Sequence, residues 1–295
     1  MVAIRSKSEA VVSGNETAAL FSDASGHGFS AADTATATPV RRTRKRPSWF
    51  AFLMGAIVPV ALVVFWQLLS TSGIIPAYRL PTPISVWEAG VDLSTRGLLV
   101  EDVVISTQRV LLGFSFGSIC GLIVGATLGL SRWASLLFAP TVGAFRAVPS
   151  LAWVPLLILY LNINEDSKVL LITIGAFFPV YTTVSGALRH VDHQLVEVGR
   201  AFGRNRMNLL FLVQLPAIVP TVVSGLRLAL AQSWLFLVAA ELIASSIGLG
   251  FLLKDSQDNG RIDRLFLAII LLALLGKLTD ALIGVLERSL LRRWS

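Results

Sequence analysis

Stretches of about 20 apolar residues recur along this 295-residue chain, and that recurrence sets the strongest limit on its fold. A helix rises about 1.5 Å per residue, so such a stretch covers the roughly 30 Å hydrocarbon core of a bilayer. Composition agrees. Hydrophobic residues make up 54% and charged ones 15%, with a mean hydropathy of +0.72, whereas a soluble domain carries about 25% charge. A single cysteine, Cys120, permits no intrachain disulfide, and with three histidines (His27, His190, His193) it offers poor material for a metal site. The net charge of +7 could suit nucleic acid, but the basic residues fall in short clusters between apolar runs. That is the pattern of membrane orientation, with no nucleic-acid partner. The chain reads as an all-α polytopic membrane protein.

Six spans are expected, at about 50–70, 108–130, 135–161, 168–188, 218–246 and 265–286. Residues 1–48 differ from the rest. Val12 to Thr38 is rich in Ser, Thr, Ala, Gly and Asp and lacks apolar periodicity, so it reads as a disordered cytoplasmic tail. The basic cluster at 41–46 follows, then Pro47 and Trp49. A cleaved signal peptide is the competing reading. The basic region lies far from the start and the apolar stretch is long enough to span, so a retained first helix is favoured. With the tail inside, Arg132, Arg189, Arg200, Arg204, Arg206, Arg288, Arg292 and Arg293 also fall inside. The outer loops carry Glu88, Asp92, Glu101, Asp102, Glu165, Asp166, Asp255, Asp258 and Asp263. An excess of Lys and Arg in inner loops predicts both termini in the cytoplasm. Trp49, Trp66, Trp133 and Trp294 lie near span ends, as interface anchors do.

Gly113, Gly117, Gly121, Gly125 and Gly129 recur every four residues in the second span, one nearly straight stripe on a helix. Such a stripe lets a neighbouring backbone approach closely, which matters where lipid supplies no hydrophobic drive for helix pairing. Tight packing and a rocking surface are both compatible with it. Arg146, Arg227, Glu241, Lys277 and Asp280 fall within apolar stretches. A central Arg, Lys or Asp costs about 2.5–3.5 kcal/mol to insert, so each needs a partner, a wet cavity or a route to the interface. Lys277 and Asp280 are three apart and can pair on one face. Arg227 and Glu241 are roughly 21 Å apart along one helix, too far to pair. Structural bracing is favoured over contact with an anionic substrate for these charges.

The inner segment from Arg189 to Pro216 is the most informative. Val191, Leu195, Val198 and Phe202 repeat at helical spacing, with Asp192, Gln194, Glu197 and Arg200 on other faces. That describes a short amphipathic helix at the membrane surface. Gly203 interrupts it where a turn is needed, and a second stretch, Arg204 to Val213, leads to Leu215 and Pro216. Glu197-Val198-Gly199, then Gly203, then Val213-Gln214-Leu215-Pro216 resembles the EAA loop of permease subunits in bacterial ATP-binding-cassette importers. Two alanines of that loop are replaced by Val198 and Gly199. The stretches around Arg146 to Pro155, Gly225 to Leu230, Ala239 to Ala244 and Ala273 to Asp280 resemble the nitrate, taurine and aliphatic sulfonate branch, aliphatic sulfonate permeases most of all. The resemblance covers about residues 50–292.

That resemblance implies a type I importer fold, with the loop acting as a coupling helix. Glu197, Val198, Gly199, Gly203, Leu215 and Pro216 would engage a separate ATPase subunit. The working assembly would hold two permease copies, two ATPases and an extracytoplasmic substrate-binding protein in the bacterial inner membrane. ATP and Mg would be used by the partner, with no cofactor bound by this chain. The residues agree on one point: the only Gly-Lys pair, Gly276-Lys277, has Leu271 and Leu278 where a phosphate-cradling loop needs Gly and Ser or Thr. An ion-gradient transporter would call for symmetry-related broken helices or functional intramembrane acids, and no convincing internal repeat is visible. An intramembrane enzyme lacks support, since no His falls within a span and no Asp residues are paired there.

Overall fold

The computed structural model describes residues 48–76 and 78–291. The tail through Pro47 with its basic cluster, together with Arg292, Arg293 and Trp294, lies outside the described residues. The chain divides into two units at Met54/Gly55, and the packing below concerns the second. In chain order the helices are α1 (Ser48–Thr71), α2 (Pro83–Thr95), α3 (Leu98–Leu130), α4 (Arg132–Ala147), α5 (Val154–Leu161), α6 (Glu165–Arg189), α7 (His193–Ala201), α8 (Arg206–Leu209), α9 (Leu215–Ala244), α10 (Leu249–Asp258) and α11 (Ile262–Leu291). Among the described residues, five helical segments are long and apolar enough to cross a membrane, and a sixth crossing is counted if α4 and α5 form one span.

The glycine stripe organises the bundle. Each of its five glycines faces α6, and an added Cβ would strike that helix. At Gly113 it would meet Ile172 Cβ at 2.6 Å, at Gly121 Val180 Cβ at 2.8 Å, and at Gly129 Leu188 Cβ at 2.8 Å. At Gly117 the obstacle is the Thr173 carbonyl oxygen at 2.5 Å, a backbone atom that cannot swing aside. Numbers rise together along this seam, so α3 and α6 run parallel. Two parallel helices need the chain between them to travel the full length of the seam. Residues 132–161 make that return, which argues for α4 and α5 as a single crossing.

That crossing, expected as one span over 135–161, is sharply bent. α4 and α5 meet at an angle of 85°. Pro149 forces the residue before it out of the helical region, and Val148 accordingly has φ −70° and ψ 124°. A 3-10 turn, Ser150–Trp153, follows, and Pro155 sits in the first turn of α5, where its missing N–H costs nothing.

On a neighbouring face of α6, α9 packs antiparallel. Gly175 gives way to the Phe236 ring and Gly225 to Thr183. Ile172, Leu230, Trp234, Phe236 and Leu237 form the core where the helices cross. α11 joins through Trp234, whose indole N–H donates to Thr279 Oγ1 at 3.0 Å. Near the far end of α1, Trp66 donates to the Pro81 carbonyl at 3.0 Å and lies against Phe266 with the rings tilted by 30°.

Two helices had no place in the sequence expectation. α2 starts with Thr82 accepting from Ser85 N–H and Pro83 in its first turn. α10 follows Gly248 at φ 124°. Both are short and join the cluster of Val86, Leu93, Leu249, Leu252 and Leu267. Their length is below a membrane span, so a search for spans passes over them.

Candidate functional site

The segment joining α6 to α9 forms a helical elbow at one end of the bundle. Asp192 caps α7 by accepting from Gln194 N–H at 2.9 Å. The helix ends at Gly203, whose φ of 70° is the left-handed conformation that glycine adopts without steric cost. Gly203 N–H donates to the Arg200 carbonyl at 2.8 Å and Arg204 N–H to that of Gly199 at 3.2 Å. These two bonds are the Schellman pattern, which satisfies the last carbonyls and turns the chain sharply.

The expected apolar stripe of α7 is split between two faces. Val191 packs against the α6–α9 cluster, and Val196 and Gly199 are buried. A Cβ on Gly199 would collide with Leu209 Cδ1, the end of a flexible side chain. Val198 and Phe202 point outward, 55% and 80% exposed. The side chain of Leu195 lies outside the described residues. Glu197 is exposed on α7. The second stretch does not form a separate helix ending before Leu215. α8 runs through a π-helical turn, Leu210–Gln214, into α9, and Leu215 N–H bonds the Leu210 carbonyl. Pro216 therefore stands in the first turn of α9, while Leu215 packs on the cluster holding Val184, Leu188 and Ile218.

At the other end of the seam, a buried polar network ties four helices together. Arg109 on α3 forms a two-pronged pair with Glu165 on α6, through Nε and Nη2, each at 2.6 Å. Its Nη1 donates to Glu241 Oε1 on α9 at 2.6 Å and to the Ile247 carbonyl at 2.8 Å. Lys168 Nζ adds a second cation to Glu165 at 2.8 Å. Glu241 is 0% exposed and also accepts from Ser106 Oγ at 2.8 Å and from Gly250 N–H at 2.8 Å. Gly248 N–H donates to Asp102 at 2.8 Å and Leu249 N–H to Ser106 Oγ at 2.9 Å. The first N–H groups of α10, which lack partners within that helix, thus find acceptors on α3 and α9.

Of the sequence-singled charges, Glu241 enters this network. Arg227, roughly 21 Å away along α9, pairs with Asp280 through two bonds of 2.8 and 2.9 Å and reaches Glu287 at 3.3 Å. Asp280 is therefore held across helices by Arg227. Lys277 approaches it only to 3.9 Å and is 81% exposed, so the expected pair within α11 is the weaker contact. Arg146 ends α4 at the bend, is exposed, and forms no ion pair among the described residues. Arg109, Glu165 and Lys168 are the residues that sequence reasoning passed over. Arg109 sat at the expected edge of a span and Glu165 was assigned to an outer loop with Asp102. Both acids instead lie within long helices, Glu165 in the first turn of α6 and Asp102 in the second turn of α3. The signal was available: Glu165 and Lys168, three apart, lead directly into an apolar run. Among the described residues no group of His, Cys, Asp and Glu is placed to hold a metal ion.

A seamed bundle of membrane-length helices with a surface elbow between two of them defines a multi-pass helical membrane protein. The chain matches the family described as binding-protein-dependent transport system inner membrane component over residues 117–292, and it belongs to that family: a non-catalytic permease component of an ABC importer, served by ATPase and substrate-binding proteins on other chains. Two relatives named as putative aliphatic sulfonates transport permease proteins are similar over most of their length. The one from Bacillus subtilis is 37% identical, covering 89% of this chain and 96% of the relative. The one from Escherichia coli is 39% identical, covering 87% and 95%. A solved structure titled as an inward-facing conformation of the MetNI methionine ABC transporter has a TM-score of 0.59 at 22% identity, covering 65% of this chain and 96% of that one. That likeness shows the type I importer fold.

Proposed function

We propose that the chain forms, with a second copy of itself, the inner-membrane pathway of an importer for aliphatic sulfonates, and that α7 is the lever through which ATPase subunits drive it. The observation that carries the lever is the outward display of Val198 and Phe202 on a helix held by Asp192 and the Gly203 turn. Apolar side chains exposed at the end of a bundle, beside the polar Glu197, suit a protein groove. Gly199, Leu215 and Pro216 serve from behind: they seat α7 against the bundle, so a push on α7 reaches α6 and α9. ATP and Mg belong to the partner, and two ATPases engage the two copies. Both termini and α7 face the cytoplasm, as the arginines at this end favour. Switching between outward- and inward-open states is then a rigid-body transition biased by ATP.

The sulfonate assignment is supported by the two similar permeases and by the stretches that resemble that branch. Nitrate or taurine is the alternative with the same machinery. Deleting the chain is expected to abolish growth on alkanesulfonates as the only sulfur source and to spare growth on nitrate as the only nitrogen source. The reverse pattern would overturn the substrate. For the lever, Glu197→Ala and Gly203→Asp are expected to abolish co-purification with the ATPase, while uptake persisting in a strain without any candidate ATPase would refute it.

A further inference from the structure

A polar cavity of about 480 Å³ lies at the α7 end of the bundle, between the start of α4 and the end of α6. Arg132, Ser135, Arg189 and Gln214 supply its polar wall, with Leu136 and Leu188 beside them. No carboxylate lines it. Arg189 donates through Nη2 to Ser135 Oγ at 2.7 Å and to the Leu128 carbonyl at 3.4 Å, both neutral acceptors. Its Nε and Nη1 make no bond among the described residues, and Arg132 has no ion pair there. Two guanidinium groups in one concavity without a counter-charge make a site for an anion with several oxygens, since the planar fork matches phosphate geometry.

The surroundings indicate where that anion comes from. Leu136 lines the cavity and also belongs to the outer face of α4, where Trp133, Leu136 and Leu137 are exposed at i, i+3 and i+4. A tryptophan at the helix start and leucines one turn deeper suit a lipid interface, with acyl chains against the leucines. Basic pockets between spans are a recognised seat for anionic headgroups. We propose that this cavity binds the phosphate of an anionic phospholipid, with its acyl chains along α4. Only the choice of leaflet, the cytoplasmic one, rests on the orientation proposed above.

The test uses the full chain co-purified with its ATPase, examined by native mass spectrometry after exchange into detergent with phosphatidylglycerol or phosphatidylcholine. Retention of phosphatidylglycerol well above phosphatidylcholine is expected. Arg132→Gln is expected to lower that retention about fivefold, the share of one basic residue near a headgroup, and Arg132→Gln with Arg189→Gln further. The Arg132 side chain makes no hydrogen bond or ion pair among the described residues, so the single variant should keep its thermal stability in detergent. Equal retention of the two lipids, or wild-type retention in Arg132→Gln, would overturn the site. Displacement of the phospholipid by inorganic phosphate would overturn the lipid source in favour of a soluble anion. ATPase still bound while lipid selectivity is lost strikes only this inference, and ATPase retained by Glu197→Ala strikes only the lever.

Discussion

α9 carries Arg227 near its middle and Glu241 near its end, and the two are held in opposite ways. Glu241 is fully buried, pinned by a guanidinium, a hydroxyl and a backbone N–H from α3 and α10. Arg227 is 40% exposed and meets only carboxylates of α11. A buried pair has no water to fall back on, so removing one partner leaves a charge that nothing else can solvate. A partly exposed arginine can swing its head toward the membrane interface and loses less. Both positions on α9 are thus braced, but only Glu241 depends on its brace. Arg109 makes the difference sharper. One side chain joins α3 to α6 and α9 and also holds the turn before α10, so the parallel seam and α10 share a single fastening.

The largest test of that contrast is Arg109→Ala. It strands buried Glu241, while Glu165 keeps Lys168, and a loss of about 3–5 kcal/mol is expected; thermal unfolding in detergent checks it, and a cost no greater than that of Asp280→Ala would break the contrast. Glu241→Gln comes next. It keeps an oxygen for Gly250 N–H but gives up the charge toward Arg109, for a loss of about 1.5–3 kcal/mol by the same measurement. Gly248→Ala should cost about 1–3 kcal/mol, because a side chain is strained at φ 124° and its Cβ would strike the Glu241 carboxylate. Proteolysis between α9 and α10 should report it first. The smallest effect belongs to Asp280→Asn. Thermal unfolding in detergent should place its cost below those of Arg109→Ala and Glu241→Gln, since Arg227 keeps Glu287 as a second partner.

Much of this architecture was legible before any coordinates. Glycines four apart announced a close seam, and left-handed Gly203 stands where the amphipathic pattern of α7 breaks. What stayed hidden depended on partners distant in sequence. Glu165 reads as a loop acid until Arg109, 56 residues earlier, is brought against it. Val198 and Leu195 share a periodicity that says one face is apolar, but not that Val198 and Phe202 would be left outside while Val196 turns in. The short helices α2 and α10 were missed because their stability comes from the cluster around Leu93, Leu249 and Leu267, which no local window contains.

By itself, then, the order of residues determined the membrane class, the helical elbow and the positions where backbones could approach, because apolar length, periodicity and missing side chains are local properties. Only the tertiary structure decided that α3 and α6 meet along the glycine seam, that the third crossing bends by 85°, and which charges are buried in a shared network and which are held by one helix alone. Those outcomes depend on which surfaces meet across the bundle, and electrostatic and packing energies are set by that meeting rather than by distance along the chain.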